Sequence, residues 1–562
     1  MKKRYGICTF CKMFVLLVVL TVFASSVFTS CKSSFKSKNS TKNINRRPNI
    51  LFIMSDDHTT QAITAYNKRY AEFFTTPNID RIADEGIRFD NVYCANAICG
   101  PSRAIIITGK YSHKNGYYKN EHGGHFNPAQ WTMPQELHKH GYTTAMLGKW
   151  HLGSTPRGFD YYMYHNNAGQ QGFYWNPVYD YNGKQVKING YATNITTDSA
   201  LAWLDRIKDS GKPFLMLLHY KAPHRNWFPD KKYENMYPDK ELPYPETFND
   251  DYKTREKTAG DTWMTMDYLN RKDMKLKPPA GLTGRELQKW YNYGNNKGEN
   301  WMPPGCKTEE EARKWKYQRF VKDYLACVKS VDDNVGRVLK FLDENGLSDN
   351  TIVVYTADQG FYLGEHGFFD KRFIYEESFR MPFLMRYPAK IKAGTTDNHL
   401  ISNVDFAPTL LDFAGVEAPA QVQGHSFMDI AEGKKVVKWQ DAVYFHYYEW
   451  PFWHHVQPHY GMRTAKYKIA HFYYNIDVWE LYDLEKDPHE LNNVFYDPKY
   501  KKIADSLQSK LKKLMIEVGD TASLDEFRKI TDTDFGEIRA QRNYRYKLLK
   551  HKLLVQTNRL PK

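Results

Sequence analysis

Cysteine is scarce in this chain: there are seven in 562 residues, and Cys8, Cys11 and Cys31 fall in the first 31 positions. The other four, Cys94, Cys99, Cys306 and Cys327, are scattered. That excludes a disulfide-built scaffold, and spacing leaves open whether any pair forms among Cys94, Cys306 and Cys327. No internal repeat is visible, which sets solenoids aside. Zinc-finger spacing, RNP-like motifs and basic-zipper heptads are missing too. The net charge of +15 therefore does not read as a nucleic-acid footprint. A basic balance still favours anionic partners such as acidic polysaccharide or anionic lipid. Part of the excess sits in two solvated flanks, the first fifty residues and the run from Arg539 to the end. The apolar run at 13–28 is short for a membrane span.

What is present begins with that run. Lys2-Lys3-Arg4, the apolar stretch and Thr29-Ser30-Cys31 together read as an export signal over 1–30. A small residue before a cysteine resembles a bacterial lipoprotein signal. Cleavage there would make Cys31 the lipidated first residue, followed by a polar linker over 31–47. Ordinary cleavage nearby and an uncleaved anchor are the alternatives. The lipoprotein reading implies attachment to membrane through lipid and a place in the bacterial cell envelope, periplasmic or on the outer membrane.

Length and a hydrophobic fraction of 41% allow one large domain and a smaller one. Three continuous apolar runs end in chemically capable residues. Pro48-Asn49-Ile50-Leu51-Phe52-Ile53-Met54 stops at Ser55-Asp56-Asp57. Phe214-Leu215-Met216-Leu217-Leu218-His219 leads to Ala222-Pro223-His224. Thr351-Ile352-Val353-Val354-Tyr355-Thr356 ends at Asp358-Gln359-Gly360. Continuous rather than alternating apolarity predicts strands buried on both faces, as in a parallel sheet covered by helices. Open sheets of this kind bind ligands at the carboxyl ends of their strands. Helical patterns over 76–86, 135–139, 197–208 and 321–347 lie between. The fold class is therefore α/β, a large mixed, mostly parallel sheet flanked by helices over 48–430. Residues 228–315, rich in Tyr, Trp, Pro and charge, read as an insertion. A small C-terminal α+β subdomain over 431–562 is expected, with strands at 441–446, 467–474 and 478–482. Asp487-Pro488-His489-Glu490 would open its basic helical tail.

Cys99-Gly100-Pro101-Ser102-Arg103 puts a thiol just ahead of a helix expected to start at Ser102 and stop at Gly109. The free N–H groups and positive dipole end of that helix make an anion site with a nucleophile in its mouth. A buried small hydrophobe at a helix start is the plain alternative. Asp56, Asp57, Asp358 and Gln359 offer carboxylate and amide oxygens, which suit Ca²⁺ better than zinc. Either pair alone could be a helix cap or a turn. Two pairs at two strand ends favour a shared cation.

These residues, with Thr108-Gly109-Lys110, Gly148-Lys149-Trp150-His151, Ala222-Pro223-His224 and Gly364-Glu365-His366-Gly367 through Lys371, resemble the type I, formylglycine-dependent sulfatases of the alkaline phosphatase superfamily. The motifs run in that family's order over about 46–500. The resemblance implies an alkaline-phosphatase-like sheet and sulfate-ester hydrolysis. It also implies conversion of Cys99 to formylglycine by a sulfatase-maturing enzyme, and one Ca²⁺ on Asp56, Asp57, Asp358, Gln359 and the modified Cys99. A hydrated aldehyde supplies a hard oxygen ligand where a thiolate would be a poor one. Its second hydroxyl gives a route for sulfate release that serine lacks. By the same match Arg103 orients the diol, and Lys149 and Lys371 hold sulfate oxygens. His151 assists collapse of the sulfated diol, and His224 protonates the leaving alcohol. Gln359 departs from the Asn or His of many members: it keeps the amide oxygen but carries it on a longer arm.

The segments Asn96-Ala97-Ile98-Cys99, Tyr220-Lys221-Ala222-Pro223-His224-Arg225 and His454-His455-Val456 through Gly461-Met462-Arg463 resemble N-acetylglucosamine-6-O-sulfatases. The implied substrate is a sulfated saccharide of heparan type or a host glycan. Trp450, Trp453, His455 and His459 are the candidates for sugar recognition, with packing against the C-terminal sheet as the alternative. A sulfatase for iduronate-2-sulfate or sulfated galactosamine would keep every catalytic residue. A phosphatase or phosphodiesterase of the superfamily would use Ser or Thr in place of Cys99. A non-enzymatic glycan-binding lipoprotein would not need Cys99 at all.

Overall fold

A computed structural model describes residues 47–120, 126–237, 239–295, 297–299, 301–451 and 454–532. The export signal, Cys31, nearly all of the linker, Trp453 and the basic tail lie outside the described residues. Ten strands form the large sheet: β1 (Asn49–Ser55), β2 (Ile87–Phe89), β3 (Thr143–Gly148), β4 (Tyr161–His165), β5 (Val178–Tyr181), β6 (Lys184–Lys187), β7 (Phe214–Tyr220), β8 (Thr351–Ala357), β9 (Phe383–Arg386) and β10 (Thr395–Asp397). Their spatial order is β10-β2-β9-β8-β1-β7-β3-β4-β5-β6. The five central strands, from β8 to β4, run parallel. Antiparallel partners close both sides, with β9 on β8 and β5 on β4.

β1 shows why its apolar run is continuous. Ile50, Phe52 and Met54 enter the core on one face with Ala104, Ile106 and Ile107 of the helix Cys99–Thr108. Leu51 and Ile53 enter the opposite core with Trp203 and Leu204 of Ala192–Ile207 and with Val321, Leu325 and Val328 of Glu309–Glu344. Side chains alternate along a strand, so a sheet covered on both faces needs an apolar residue at every position.

The helix expected over 321–347 starts earlier, at Glu309. A reciprocal cap fixes that start: Thr308 Oγ1 accepts from the Glu311 N–H (3.2 Å), and the Glu311 carboxylate accepts from the Thr308 N–H (3.3 Å). The charged first turns concealed the helix, because their apolar stripe begins only with Ala312 and Tyr317. The segment before it supplies no strand to the large sheet among the described residues. It is held instead by Leu242, Phe248, Met266, Leu269 and Trp301 packing on that same helix.

Beyond the large sheet, β11 (Ala442–Tyr447), β12 (His459–Thr464), β13 (Tyr467–Phe472) and β14 (Val478–Asp483) form an antiparallel sheet in chain order. β12 was not anticipated; it passes through Gly461, where an added Cβ would stand 2.2 Å from the Ile469 carbonyl oxygen. The expected helical opening at Asp487 is a loop. Its carboxylate accepts from the N–H groups of Leu491 (3.1 Å) and Asn492 (2.7 Å), which competes with helical bonding. The helix comes later, at Lys501–Val518, and seats Ala504, Leu507 and Leu511 on the sheet. Cys94, Cys99, Cys306 and Cys327 are all free thiols, so no disulfide joins the described residues.

Candidate active site

The five parallel strands all deliver a polar side chain to one edge of the sheet. Asp56 follows β1, Lys149 follows β3, His165 ends β4, Lys221 follows β7 and Asp358 follows β8. Cys99 comes to the same edge from the helix below. Ile98 is the N-cap and the Ser102 N–H donates to its carbonyl (3.0 Å), so Cys99 is the first helical residue rather than the residue ahead of the helix. Pro101 falls within the first turn, where its missing N–H has no intrahelical partner to lose. Gly109 closes the helix at φ 59°, a conformation that favours glycine. Ser102 Oγ donates to the Asp358 carbonyl and accepts from Asn403 Nδ2 (2.9 Å), which ties the helix start to the end of β8.

The charged groups interlock. Lys149 Nζ donates to Asp56 Oδ2. Lys371 Nζ donates to both oxygens of Asp57 (2.6 and 2.8 Å). Arg103 donates from Nε to Asp358 Oδ2 (3.0 Å) and from Nη1 to the Lys149 carbonyl (2.6 Å). The Asp57 N–H donates to Asp358 Oδ1 (3.1 Å), and Gln359 Nε2 donates to Asp57 Oδ1. His224 Nε2 lies 3.8 Å from Asp57 Oδ2. His151 Nε2 accepts from Gln171 Nε2 (2.9 Å). Asp57 (φ 63°) and His151 (φ 56°) hold left-handed backbone. For residues with a Cβ that is strain of order 1–3 kcal/mol each, tolerated where it aims a functional group.

Burial and crowding set the protonation of this site. Burial, with Asp56, Asp358 and Asp370 adding like charge, pushes Asp57 up to about 7 even with Lys371 beside it. Asp358 is raised by burial and by Asp56. Burial opposes ionisation of Asp56 as well, but Lys149, His224, Arg103 and Lys371 outweigh it and hold that carboxyl well below its ordinary range. Burial also lifts the Cys99 thiol and depresses His151 and His224. Oxygens of Asp56, Asp57 and Asp358 lie within 4.8 Å of one another, and so do ligand atoms of Asp56, Cys99 and His224. Asp56 Oδ1 and Gln359 Oε1 are buried acceptors without a hydrogen-bond partner among the described residues. Three close carboxylates, two of them reluctant to ionise, and two spare hard oxygens fit a divalent cation.

Residues 48–416 match the sulfatase family, and residues 364–517 match a second pattern, N-sulphoglucosamine sulphohydrolase, C-terminal. The chain belongs to the sulfatase family. It is 46% identical over 485 residues to an N-acetylglucosamine-6-O-sulfatase of Bacteroides thetaiotaomicron, covering 83% of this chain and 85% of that one. It is 27% identical to the N-acetylglucosamine-6-sulfatase of Homo sapiens, covering 72% of this chain and 67% of that one. A solved structure, described as a complex with its substrate D-glucosamine-2-N,6-O-disulfate, is 44% identical with a TM-score of 0.78, covering 85% of this chain and 99% of that one. The protein is thus a sulfatase with the family's large mixed sheet and a small C-terminal sheet.

This sulfatase departs from the sequence expectation on the sugar side. His459 is wholly buried: its Nε2 accepts from the Ile374 N–H (3.1 Å), its Nδ1 donates to the Gln457 carbonyl (2.8 Å), and its ring stacks on Phe472. With both nitrogens spent on backbone it is a core residue and faces no cleft. Trp450 and His455 are in contact, ring centroids 4.2 Å apart, and His455 stacks at 4.4 Å on Trp263 from the insertion. Asn120 was missed altogether; its Nδ2 donates to Cys99 Sγ (3.4 Å) and its Oδ1 accepts from the Gly100 N–H (3.0 Å). A loop Asn 21 residues downstream leaves no spacing signal. Asp370 and His454 lie in segments that carry the resemblance but were given no role, and Arg372 was missed. Asp370 pairs with Arg372 and with His454 Nε2 (3.1 Å).

Proposed function

We propose that this sulfatase removes 6-O-sulfate from N-acetylglucosamine or N-sulfated glucosamine in heparan-type glycosaminoglycan or host glycans. Cys99 converted to formylglycine and one Ca²⁺ would complete the site. The observation that supports this most is the position of Cys99, at the positive end of a helix between two lysines and a carboxylate cluster, in a chain 46% identical to an N-acetylglucosamine-6-O-sulfatase.

The hydrated formylglycine supplies the attacking oxygen and a second hydroxyl for sulfate release, and the cation supplies Lewis acidity. Asp56, Asp57, Asp358 and the Gln359 amide oxygen would hold that cation. Lys149 and Lys371 each have an ammonium within reach of the cluster and would draw the charged sulfate oxygens, stabilising the charge that develops there. Arg103, anchored on Asp358 and on the Lys149 carbonyl, would fix the nucleophile by its rigid fork. His224 would hold a proton for the departing sugar oxygen; substrate charge must raise its affinity for that proton above the depressed value set by burial. Asn120 fastens the Cys99 side chain to its own helix start.

Maturation requires a sulfatase-maturing enzyme acting on Cys99. The amino-terminal signal supports a lipoprotein held in the bacterial envelope through Cys31. The test is sulfate release from a panel of sulfated monosaccharides and disaccharides, with mass analysis of the Cys99 peptide. Expected are release from the 6-sulfate but not the 3-sulfate of N-acetylglucosamine, and the mass loss of a thiol-to-aldehyde conversion. Release from the 3-sulfate alone would overturn the sugar assignment. An unconverted thiol in active enzyme would overturn the chemistry.

A further inference from the structure

Two of the five strand ends have no part in the chemistry above: Lys221 after β7 and His165 at the end of β4. Lys221 is 6% exposed; its carbonyl accepts from the His224 N–H (3.1 Å), but its ammonium makes neither a hydrogen bond nor an ion pair with any described residue and rests 5.2 Å over the Tyr174 ring. His165 is 1% exposed, and neither ring nitrogen has a partner among the described residues. Buried cations and imidazoles are ordinarily paired, because leaving them unpaired forfeits their hydration. Here the unmatched atoms belong to the end of β4 and the loop that follows it. Asn167 has both amide atoms unpartnered, and Gln171 leaves its oxygen free while its nitrogen serves His151.

One loop, 166–175, joins these groups to the reacting centre. Gly172 (φ 75°) lies flat on the His165 ring, where a Cβ would come within 2.5 Å of it. Tyr174 receives Lys221 on its face and donates its hydroxyl to the His224 carbonyl. Burial and the neighbouring Lys149 bring Lys221 down to about 8, and Lys221 is the foremost charge felt by His165. Asp56 and Asp57 are the carboxylates that Lys221 feels, and both are already engaged by Lys149 and Lys371. The loop itself meets His151 through Gln171 and His224 through Tyr174.

We propose that Lys221, with His165, Asn167 and Gln171, forms an anionic subsite beside the sulfate-ester pocket. It would take a second negative group of the saccharide, a sulfate on the same sugar or a carboxylate on its neighbour. The proposal rests on the sugar-sulfatase reading given above. An anion there would satisfy the unmatched ammonium and the amide donors together, by charge-assisted hydrogen bonds.

The test uses matured full-length enzyme and three substrates: N-acetylglucosamine 6-sulfate, glucosamine N,6-disulfate, and N-acetylglucosamine 6-sulfate joined to a uronic acid. The readout is the ratio of kcat/KM for each doubly anionic substrate to that for the singly charged one. In Lys221→Gln this ratio falls about tenfold, mostly through KM, the low end of what a hydrogen bond to a charged group contributes. Lys221→Arg keeps most of it. The substrate with the larger fall identifies the group that the subsite holds. An unchanged ratio, or an equal loss on all three substrates, overturns the proposal. A measurement without variants stands beside it: where the N,6-disulfate shows the larger fall, glucosamine N-sulfate should inhibit the parent enzyme about tenfold better than N-acetylglucosamine, and equal inhibition then overturns the N-sulfate as occupant. If the parent enzyme releases sulfate from none of the three, the sugar-sulfatase reading itself falls. A ratio that stays put in an active enzyme removes only the subsite.

Discussion

Two buried charge clusters, built from the same residue types, serve different ends. One lies where the Lys371-bearing loop meets the C-terminal sheet. There Lys468 pairs with Glu490 (2.7 Å) and Glu376 (3.0 Å), Arg463 with Glu376 (3.3 Å), and His366 with Asp250 (2.8 Å), while Arg255 adds a second contact to Asp250 (2.6 Å). Its charges stand in opposite pairs, although Lys468 Nζ, Glu490 Oε1, Arg255 Nη1 and His366 Nε2 complete no hydrogen bond among the described residues. The other lies at the carboxyl edge of the large sheet, where Asp56 Oδ1, Gln359 Oε1, His151 Nδ1 and both nitrogens of His165 are left over. Charges spent on each other fix geometry. Polar atoms left unmatched in a dry interior cost free energy and persist where a ligand makes up the loss.

The widest separation between the clusters is expected from one substitution in each. Cys99→Ala should reduce sulfate release at least ~1000-fold, the scale on which removing an attacking group acts, while thermal unfolding stays close to that of the parent. Glu376→Gln should do the opposite. It strips a partner from Lys468 and Arg463, and breaking a buried pair costs about 3–5 kcal/mol. Stability measured by denaturant unfolding should fall on that scale, with kcat on the surviving folded enzyme within a few fold. Turnover by Cys99→Ala would end the assignment of the nucleophile. A catalytic collapse in folded Glu376→Gln would dissolve the distinction between the clusters.

A smaller effect tests whether the spare oxygens are there for a cation. Gln359→Leu keeps the bulk of the side chain and removes the amide oxygen. After chelation and calcium titration, this variant should need about tenfold more calcium for half-maximal activity, as losing one hard oxygen ligand entails. Gln359→Asn, with the amide on a shorter arm, should lie between the parent and the leucine variant. A calcium requirement unchanged by either substitution would mean that Gln359 is only a hydrogen-bond donor to Asp57.

The two clusters also differ in how far the sequence revealed them. Asp56, Asp358 and His224 stand at or just beyond the ends of continuous apolar runs, and such runs mark doubly covered parallel strands wherever they occur. Topology then does the gathering, because parallel strands put all their carboxyl ends on one edge. Arg103 and Lys149 came from short motifs with no strand logic of their own. Loops supplied what could not be read. Asn120 reaches Cys99 from a turn without periodicity, and His459 shares its neighbourhood with His454 yet is carried into the core by a strand that a glycine disguised. The Lys468 cluster was invisible, since each of its members alone looks like a solvated surface charge; only the packing of three distant segments makes them partners.

His366 gives the finest test, because its signature is a dependence on pH rather than a loss. It is fully buried, with its Nδ1 2.8 Å from Asp250 and its Nε2 3.7 Å from Glu377. Arg255 faces it from the insertion, and Tyr362, Phe368 and Tyr375 enclose the ring. Burial alone would depress its pKa, and so would Arg255, but Asp250 and Glu377 outweigh both and push it up to about 9. The folded protein therefore binds this proton more tightly than the unfolded chain does. The stabilisation is complete below the ordinary histidine value of about 6.5 and is lost as pH rises through about 9. Glu490, raised by burial to about 7, and Lys316, lowered by burial to about 8, titrate in the same interval. Only the difference between parent and variant isolates His366. Against His366→Gln, the parent should be more stable by ~3 kcal/mol near pH 6, with the gap shrinking steadily toward pH ~9.5. Activity at neutral pH should change little, because the loop that carries Lys371 stays tied to the insertion by the bonds from the His366 N–H to Thr247 and from Tyr252 to the His366 carbonyl. A stability gap that stays level across that range would mean that the imidazole is neutral and the clamp is held by hydrogen bonding alone.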